Sequence, residues 1–196
     1  MTKNIVLLVL SFVVGSIPFG IIVAKAKGVD LRRVGSGNIG ATNVLRSIGK
    51  WPAVLTVLGD ILKGTLAVAA GRHFGVGPLY EGLIGISAVL GHIFSLFLGF
   101  KGGKGVATSL GVLVVYTPKV AFFTFVIWVM IVFLTKYSSM AAIVSFGLLP
   151  INVILFDYDK TKLFITILIS LFILMRHKDN IQRLMKGTEK KIGQRA

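Results

Sequence analysis

The sequence predicts an all-α, polytopic membrane protein with seven transmembrane helices, its N-terminus outside and its C-terminus cytoplasmic. Three observations carry this expectation. Of the 196 residues, 55% are apolar and only 15% charged, against roughly 45–50% and about 25% in soluble globular domains, and mean hydropathy is +0.86. The apolar residues gather in blocks of 13 to 22, separated by short basic or glycine-rich connectors. The basic residues crowd into alternate connectors. The first two exclude a water-soluble core, a disordered chain and a fibrous repeat; the third sets the orientation.

Residues 5–24 form an uncharged stretch of 20 residues, enough for about 30 Å of helix. Ala24, Lys25 and Ala26 resemble a signal-peptide cleavage site, but the apolar run exceeds the roughly 7–15 residues of such a core. It reads as a retained span. The later blocks are residues 51–71, 79–100, 105–117, 120–134, 138–156 and 163–175. Residues 105–134 are one crossing or two. Pro118 disfavours helix at the residue before it, and Lys119 adds a charge, so the chain turns there and crosses twice. The span after Lys104 is then short, roughly 21 Å, and its start lies below the surface in a protein-lined pocket. No repeat or linker divides the chain, so residues 1–196 read as one integral-membrane domain.

Seven crossings put three basic regions on one face: the 25–50 connector, the 101–104 turn and the tail after Met175, with Lys136 beside them. The opposite face keeps Lys3, Arg72, Lys119, Lys160 and Lys162, offset by Glu81, Asp157 and Asp159. By the positive-inside rule the first face is cytoplasmic. Lys and Arg total 22 against 7 Asp and Glu, a net charge of +15. In a soluble protein that balance suggests nucleic acid; between apolar spans it points to anionic lipids or substrates, with no nucleic-acid partner. Cysteine is absent, which excludes disulfides and thiol catalysis.

Three polar groupings collect on the basic face. The first holds Gly35, Ser36, Gly37, Asn38, Gly40, Thr42, Asn43 and Arg46. Its G-x-G-x-x-G spacing is no dinucleotide fingerprint, because apolar spans stand where a βαβ unit is required. Glycine amides, short polar side chains and a bidentate guanidinium can still wrap phosphate oxygens. The second is Lys101, Gly102, Gly103, Lys104 and Gly105, running into Thr108 and Ser109. It departs from a Walker A loop, with Leu98 and Gly105 where that motif needs glycine and Ser/Thr. Unpaired amides at Gly102 and Gly103 before a helix, with Lys104 beside them, would hold an anion. The third opens the tail with Arg176, His177, Asn180 and Arg183: if the last helix continues, Arg176, Asn180 and Arg183 share a face and His177 neighbours Asn180. His92 lies two turns before the second grouping inside a span, where an ionisable group is expected to be functional. Asp60 and Lys63, at i and i+3 in another span, read as a structural ion pair.

These three groupings, in this order, with His92, Ser139 and a chain of about 200 residues, resemble the acyl-phosphate:glycerol-3-phosphate acyltransferase family of bacterial membranes. The resemblance implies a seven-helix enzyme of the bacterial plasma (inner) membrane with its site facing the cytoplasm. It implies acyl transfer from acyl phosphate to the 1-hydroxyl of glycerol 3-phosphate, giving 1-acylglycerol 3-phosphate (lysophosphatidate) and phosphate, the first step of phospholipid biosynthesis. The expected partners are those two substrates and membrane lipid, with no cofactor and no metal. His177, Asn180 and Lys104 carry the catalytic roles. Gly35, Ser36, Gly37, Asn38, Gly40, Thr42, Asn43, Arg46, His92, Gly102, Gly103, Thr108 and Ser139 bind substrate or phosphate.

The residues suit that chemistry. An acyl phosphate already carries a good leaving group, so the main task is to hold two anions together and stabilise moving charge. For the proton, His177, His92 and the donor's own phosphate all qualify as acceptors; the resemblance favours the phosphate, with His177 and Asn180 orienting glycerol 3-phosphate. A transporter or channel for phosphate-bearing anions is the competing reading, and would place polar groups near mid-membrane. A lipid-binding scaffold would explain the charge but not three separate groupings.

Overall fold

The computed structural model describes residues 1–194; Arg195, one of the expected basic tail residues, lies outside them. Eleven α-helices and no strand occur among the described residues. They are α1 (Thr2–Gly15), α2 (Phe19–Lys25), α3 (Ala41–Ser47), α4 (Lys50–His73), α5 (Pro78–Ile93), α6 (Val106–Tyr116), α7 (Pro118–Thr135), α8 (Ser138–Gly147), α9 (Leu149–Phe156), α10 (Lys160–Arg176) and α11 (Lys178–Met185).

Four helical segments are long and apolar enough to cross a membrane: Thr2–Lys25, Lys50–His73, Pro78–Leu98 and Pro118–Thr135. The pair α8 and α9, bent by 46°, makes a fifth if counted as one span. The remaining apolar helices are shorter: α6 has 11 residues and α10 has 17. The expected turn at Pro118 is present, with α6 ending and α7 beginning there.

Local chemistry modifies three expected elements. The first block is not one helix: Pro18 has no N–H to continue the ladder, so α1 stops at Gly15 and α2 restarts at Phe19. The carbonyl of Ile17 lies beside this break, and Lys63 takes it at 3.0 Å. Pro150 stands in the first turn of α9, where the 138–156 block bends. The 25–50 connector, expected as loop, contains the two-turn helix α3.

Apolar side chains face outward and polar ones inward. Trp51, Phe133, Leu134 and Leu155 are exposed, whereas Asp60, Lys63, His92, Thr124 and Asn152 are buried. Water would favour the reverse; a lipid surround makes this arrangement stable. Helices approach closely through small residues. A Cβ on Gly64 of α4 would strike the backbone of Thr108 in α6, and one on Gly111 of α6 would strike the backbone of Ile61 in α4. Gly15 on Ala88 and Gly91 on Phe12 pack α1 against α5 in the same way. A buried cluster including Val89, Val112, Phe146, Leu149, Ile165 and Ile169 joins α5, α6, α8, α9 and α10. These contacts bring the start of α6, the start of α8 and the α10–α11 junction to one end of the bundle.

Candidate active site

A cavity of about 720 Å³ opens at that end, and all three polar groupings line it. The first grouping is held in shape by one residue. Asn43 is almost wholly buried; its Oδ1 accepts the Ser36 N–H at 2.9 Å, and its Nδ2 faces the carbonyls of Leu31, Val34 and Asn38 at 2.9–3.1 Å. Expected as a phosphate ligand, Asn43 instead uses its amide to staple the loop. Gly35 has φ +61°, and a Cβ there would meet the Asn43 Oδ1, so only glycine fits. Ser36, Gly37, Asn38 and Gly40 then line the cavity. Thr42 pairs with the Ser138 hydroxyl at 3.0 Å, tying α3 to α8. Arg46 donates to the carbonyls of Lys190 and Lys191 at 2.6 and 3.2 Å; its buried Nε has no partner among the described residues.

In the second grouping the amides differ from expectation. Those of Gly102 and Gly103 are not free: they donate to the carbonyls of Ile93 and His92, each at 3.0 Å. The two glycines permit close packing, since a Cβ on Gly102 would strike the His92 carbonyl and one on Gly103 the His92 ring. Gly102 lines the cavity, whereas Gly103 is held beneath it. The free donors lie one step later. α6 begins at Val106, its first backbone bond runs from Ser109 to Gly105, and the preceding amides have no carbonyl within the helix. Lys104, Gly105, Val106 and Ala107 line the cavity there, so the positive helix end faces it. Thr108 does not reach it. Its side chain is fully buried in α6 and its backbone packs on Gly64, so the expected phosphate role is corrected to a packing one.

Lys104 Nζ donates to Asn180 Oδ1. Burial, reinforced by the charges of Arg183 and Arg176, pushes the Lys104 ammonium down to about 8. His177 is pushed down to about 4, by burial and then by the Lys104 charge. At neutral pH it is therefore uncharged. Its Nδ1–H donates to the Ile173 carbonyl at 2.7 Å, leaving the Nε2 lone pair unused. The α10 helix ends at Arg176, so Arg176 and Asn180 belong to different helices rather than one continuous face. Arg176 still reaches the second grouping, with Nε 3.3 Å from the Gly103 carbonyl.

Glu189 was not anticipated. Its carboxylate accepts from Ser139 Oγ, Asn180 Nδ2 and Arg183 Nε, each at 2.7 Å. Burial alone would raise its pKa; the hydrogen bonds from Ser139, Arg183 and Asn180 outweigh that and hold the carboxyl below its ordinary value. The available signal was one of only two acids, with Asp179, in an otherwise basic tail. Glu189→Ala is expected to destabilise the protein by about 2 kcal/mol, the scale of a buried charge-assisted hydrogen bond, read as a lower melting temperature. The depressed pKa means this stabilisation is present at neutral pH and is lost as pH falls through the folded value.

His92 and Asp60 line the cavity floor. Lys63 pairs with Asp60 at 2.8 Å and contacts His92 Nδ1 at 2.8 Å. Val57, Leu110, Phe125, Trp128, Phe146 and Met175 add apolar side chains to the lining of the same cavity. No group of three His, Asp or Glu side chains able to hold a metal ion occurs among the described residues.

Fold and cavity define a helical membrane protein with one cavity lined by both cationic and apolar side chains. Comparison with known proteins agrees and narrows the class. The glycerol-3-phosphate acyltransferase family model matches residues 5–187, and the chain belongs to that family. The glycerol-3-phosphate acyltransferase of Mesorhizobium japonicum is 45% identical, over 98% of this chain and 98% of its own. That of Aquifex aeolicus is 44% identical, over 95% and 98%. Among solved structures, PlsY (YgiH), an integral membrane glycerol 3-phosphate acyltransferase, superposes with a TM-score of 0.92 in its glycerol 3-phosphate form. The two chains are 42% identical, with 97% of this chain and 96% of that one covered. The lysophosphatidic acid form of PlsY gives 0.90 at 41% identity.

Proposed function

We propose that this protein acylates the 1-hydroxyl of glycerol 3-phosphate with acyl phosphate as donor, releasing 1-acylglycerol 3-phosphate and inorganic phosphate. The observation that carries the reading is one cavity with two chemistries. Its lining gathers Lys104, Arg46, Arg176, Arg183 and the α6 amides, which suit phosphate oxygens, together with apolar side chains that suit an acyl chain. The glycerol 3-phosphate and lysophosphatidic acid forms of PlsY, whose chain covers nearly the whole of this one, support the acceptor and the product.

In the reaction the glycerol 1-oxygen attacks the acyl carbonyl, the bond from that carbon to the phosphate oxygen breaks, and the hydroxyl proton leaves with the phosphate. His177 at about 4 is a weak base. Its free Nε2 serves better to accept a hydrogen bond from the hydroxyl and aim it, with Asn180 alongside. Lys104 and the α6 amides stabilise charge on the departing phosphate. Lys104, His177 and Asn180 thus act as catalytic residues. Gly35, Ser36, Gly37, Asn38, Gly40, Arg46 and Gly102 shape the phosphate site, while Thr42 and Ser139 brace it.

Counting α1 with α2, the bent α8–α9 pair, and the shorter α6 and α10 as crossings gives seven spans in one domain. The N-terminus then lies outside, and the site faces the cytoplasm of the inner membrane, where the basic connectors belong.

Purified protein given long-chain acyl phosphate and glycerol 3-phosphate should release phosphate and form lysophosphatidate in equal amounts, and should do neither with acyl-CoA. Turnover with acyl-CoA alone would refute the donor assignment. The pH profile follows from Lys104. kcat/KM should fall as pH rises through about 8, where the free enzyme loses the ammonium. Lys104→Arg, whose charge persists, should lack that upper limb.

A further inference from the structure

The second phosphate-loop glycine rests on a ring whose proton position is dictated from inside the membrane. His92 is 5% exposed, and its Nδ1 lies 2.8 Å from Lys63 Nζ. Lys63 also donates to the Ile17 carbonyl beside Pro18, at 3.0 Å. It forms an ion pair with Asp60 at 2.8 Å. Paired with the Asp60 carboxylate, Lys63 is an ammonium with donors only, so the Nδ1 it meets carries the lone pair. Asp60 Oδ1 is 3.5 Å from the same nitrogen, too far to compete for a proton there. The ring proton is therefore on Nε2. That atom lies against Gly103, where a Cβ would collide with it. It has no hydrogen-bond partner among the described residues, while its ring lines the cavity.

We propose that Lys63, held by Asp60 and the Ile17 carbonyl, locks His92 in the Nε2–H tautomer, making His92 a neutral hydrogen-bond donor to a substrate phosphate at the cavity floor. Lys63 and Asp60 are then positioning residues, and their buried ion pair serves the site rather than only the helix bundle. The inference rests on the phosphate site proposed above. A neutral donor here has a physical advantage: the cavity already carries Lys104, Arg46 and Arg176, and a further cation on the floor would hold the released phosphate in place. The other nitrogen would present a lone pair to an anion and repel it.

The test is nitrogen NMR of the purified, histidine-labelled protein in detergent. The wild type should show His92 with Nδ1 in the unprotonated range and Nε2 in the protonated range. Adding glycerol 3-phosphate, or a non-hydrolysable acyl phosphonate, should shift the Nε2–H resonance. In Lys63→Met the only polar neighbour left to Nδ1 is the Asp60 carboxylate, so the proton should move to Nδ1. In turnover, His92→Asn places its amide at the Nδ1 position and should lose roughly 10- to 150-fold in kcat/KM, the range of a hydrogen bond to a charged group. His92→Gln reaches the Nε2 position and should regain most of that loss. An Nδ1–H tautomer in the wild type, or an Nε2–H resonance unmoved by both ligands, overturns the proposal. If Lys63→Met does not fold, the wild-type spectrum and the Asn/Gln pair still decide. Because the spectra need no turnover, failure of acyl-phosphate turnover would reject the donor chemistry without touching this result.

Discussion

Lys104→Ala should lower kcat/KM about a thousandfold, the upper range for removing one preorganised group that stabilises transition-state charge, while leaving the protein folded. Both halves follow from position. The ammonium stands beside the amides that open α6, on the cavity wall, and its bond to Asn180 Oδ1 places it between the second and third groupings. The same burial that lowers its pKa to about 8 makes it a costly charge for the empty protein to keep. Alanine removes that cost, so the melting temperature should hold or rise. Near-normal phosphate release by the variant would defeat the site assignment; loss of folded protein would show that Lys104 is structural.

Gly64→Val should act in the opposite way, weakening the fold and the activity with it. Gly64 and Gly111 let α4 and α6 cross with backbone against backbone. At Gly64 the obstacle is the Thr108 carbonyl, which cannot rotate aside as a side chain could. Overpacking normally costs about 1–3 kcal/mol, and a backbone obstacle puts this site at or above the top of that range. The α6 start, with Lys104, would move relative to Asp60 and His92. Thermal unfolding in detergent should show a melting temperature lowered by many degrees; an unchanged value would mean that the crossing is looser than described.

The hydrophobic blocks were legible because a bilayer demands long uncharged helices, and length and charge are written along the chain. Convergence of Arg46, Lys104, His177 and Asn180 was legible for a related reason: positive residues and glycines in alternate connectors must share a face. What stayed hidden depends on partners distant in sequence. Nothing local says that the Gly102 and Gly103 amides will be taken by the end of α5, or that Asn43 will close its own loop. Thr108 reads like a phosphate ligand until α4 covers it. Glu189 lies 50 residues from Ser139, and only the folded chain brings them together. Pro18, like Pro150, was a missed feature with a plain local signal, and beside it lies the Ile17 carbonyl that Lys63 takes.

The central claim is that three connectors far apart in sequence form one substrate site under a single leaflet. The chain has no cysteine, so single exposed positions can be tagged one at a time: Ser36→Cys, Lys101→Cys and Asp179→Cys on the proposed cytoplasmic side, Lys119→Cys on the other. Labelling with a membrane-impermeant thiol reagent should reach the first three from the cytoplasmic side only and the fourth from the outer side only. Glycerol 3-phosphate should protect positions 36 and 179, which line the cavity, but not 101. Positions 36 and 179 labelling from opposite sides of the bilayer would contradict the account.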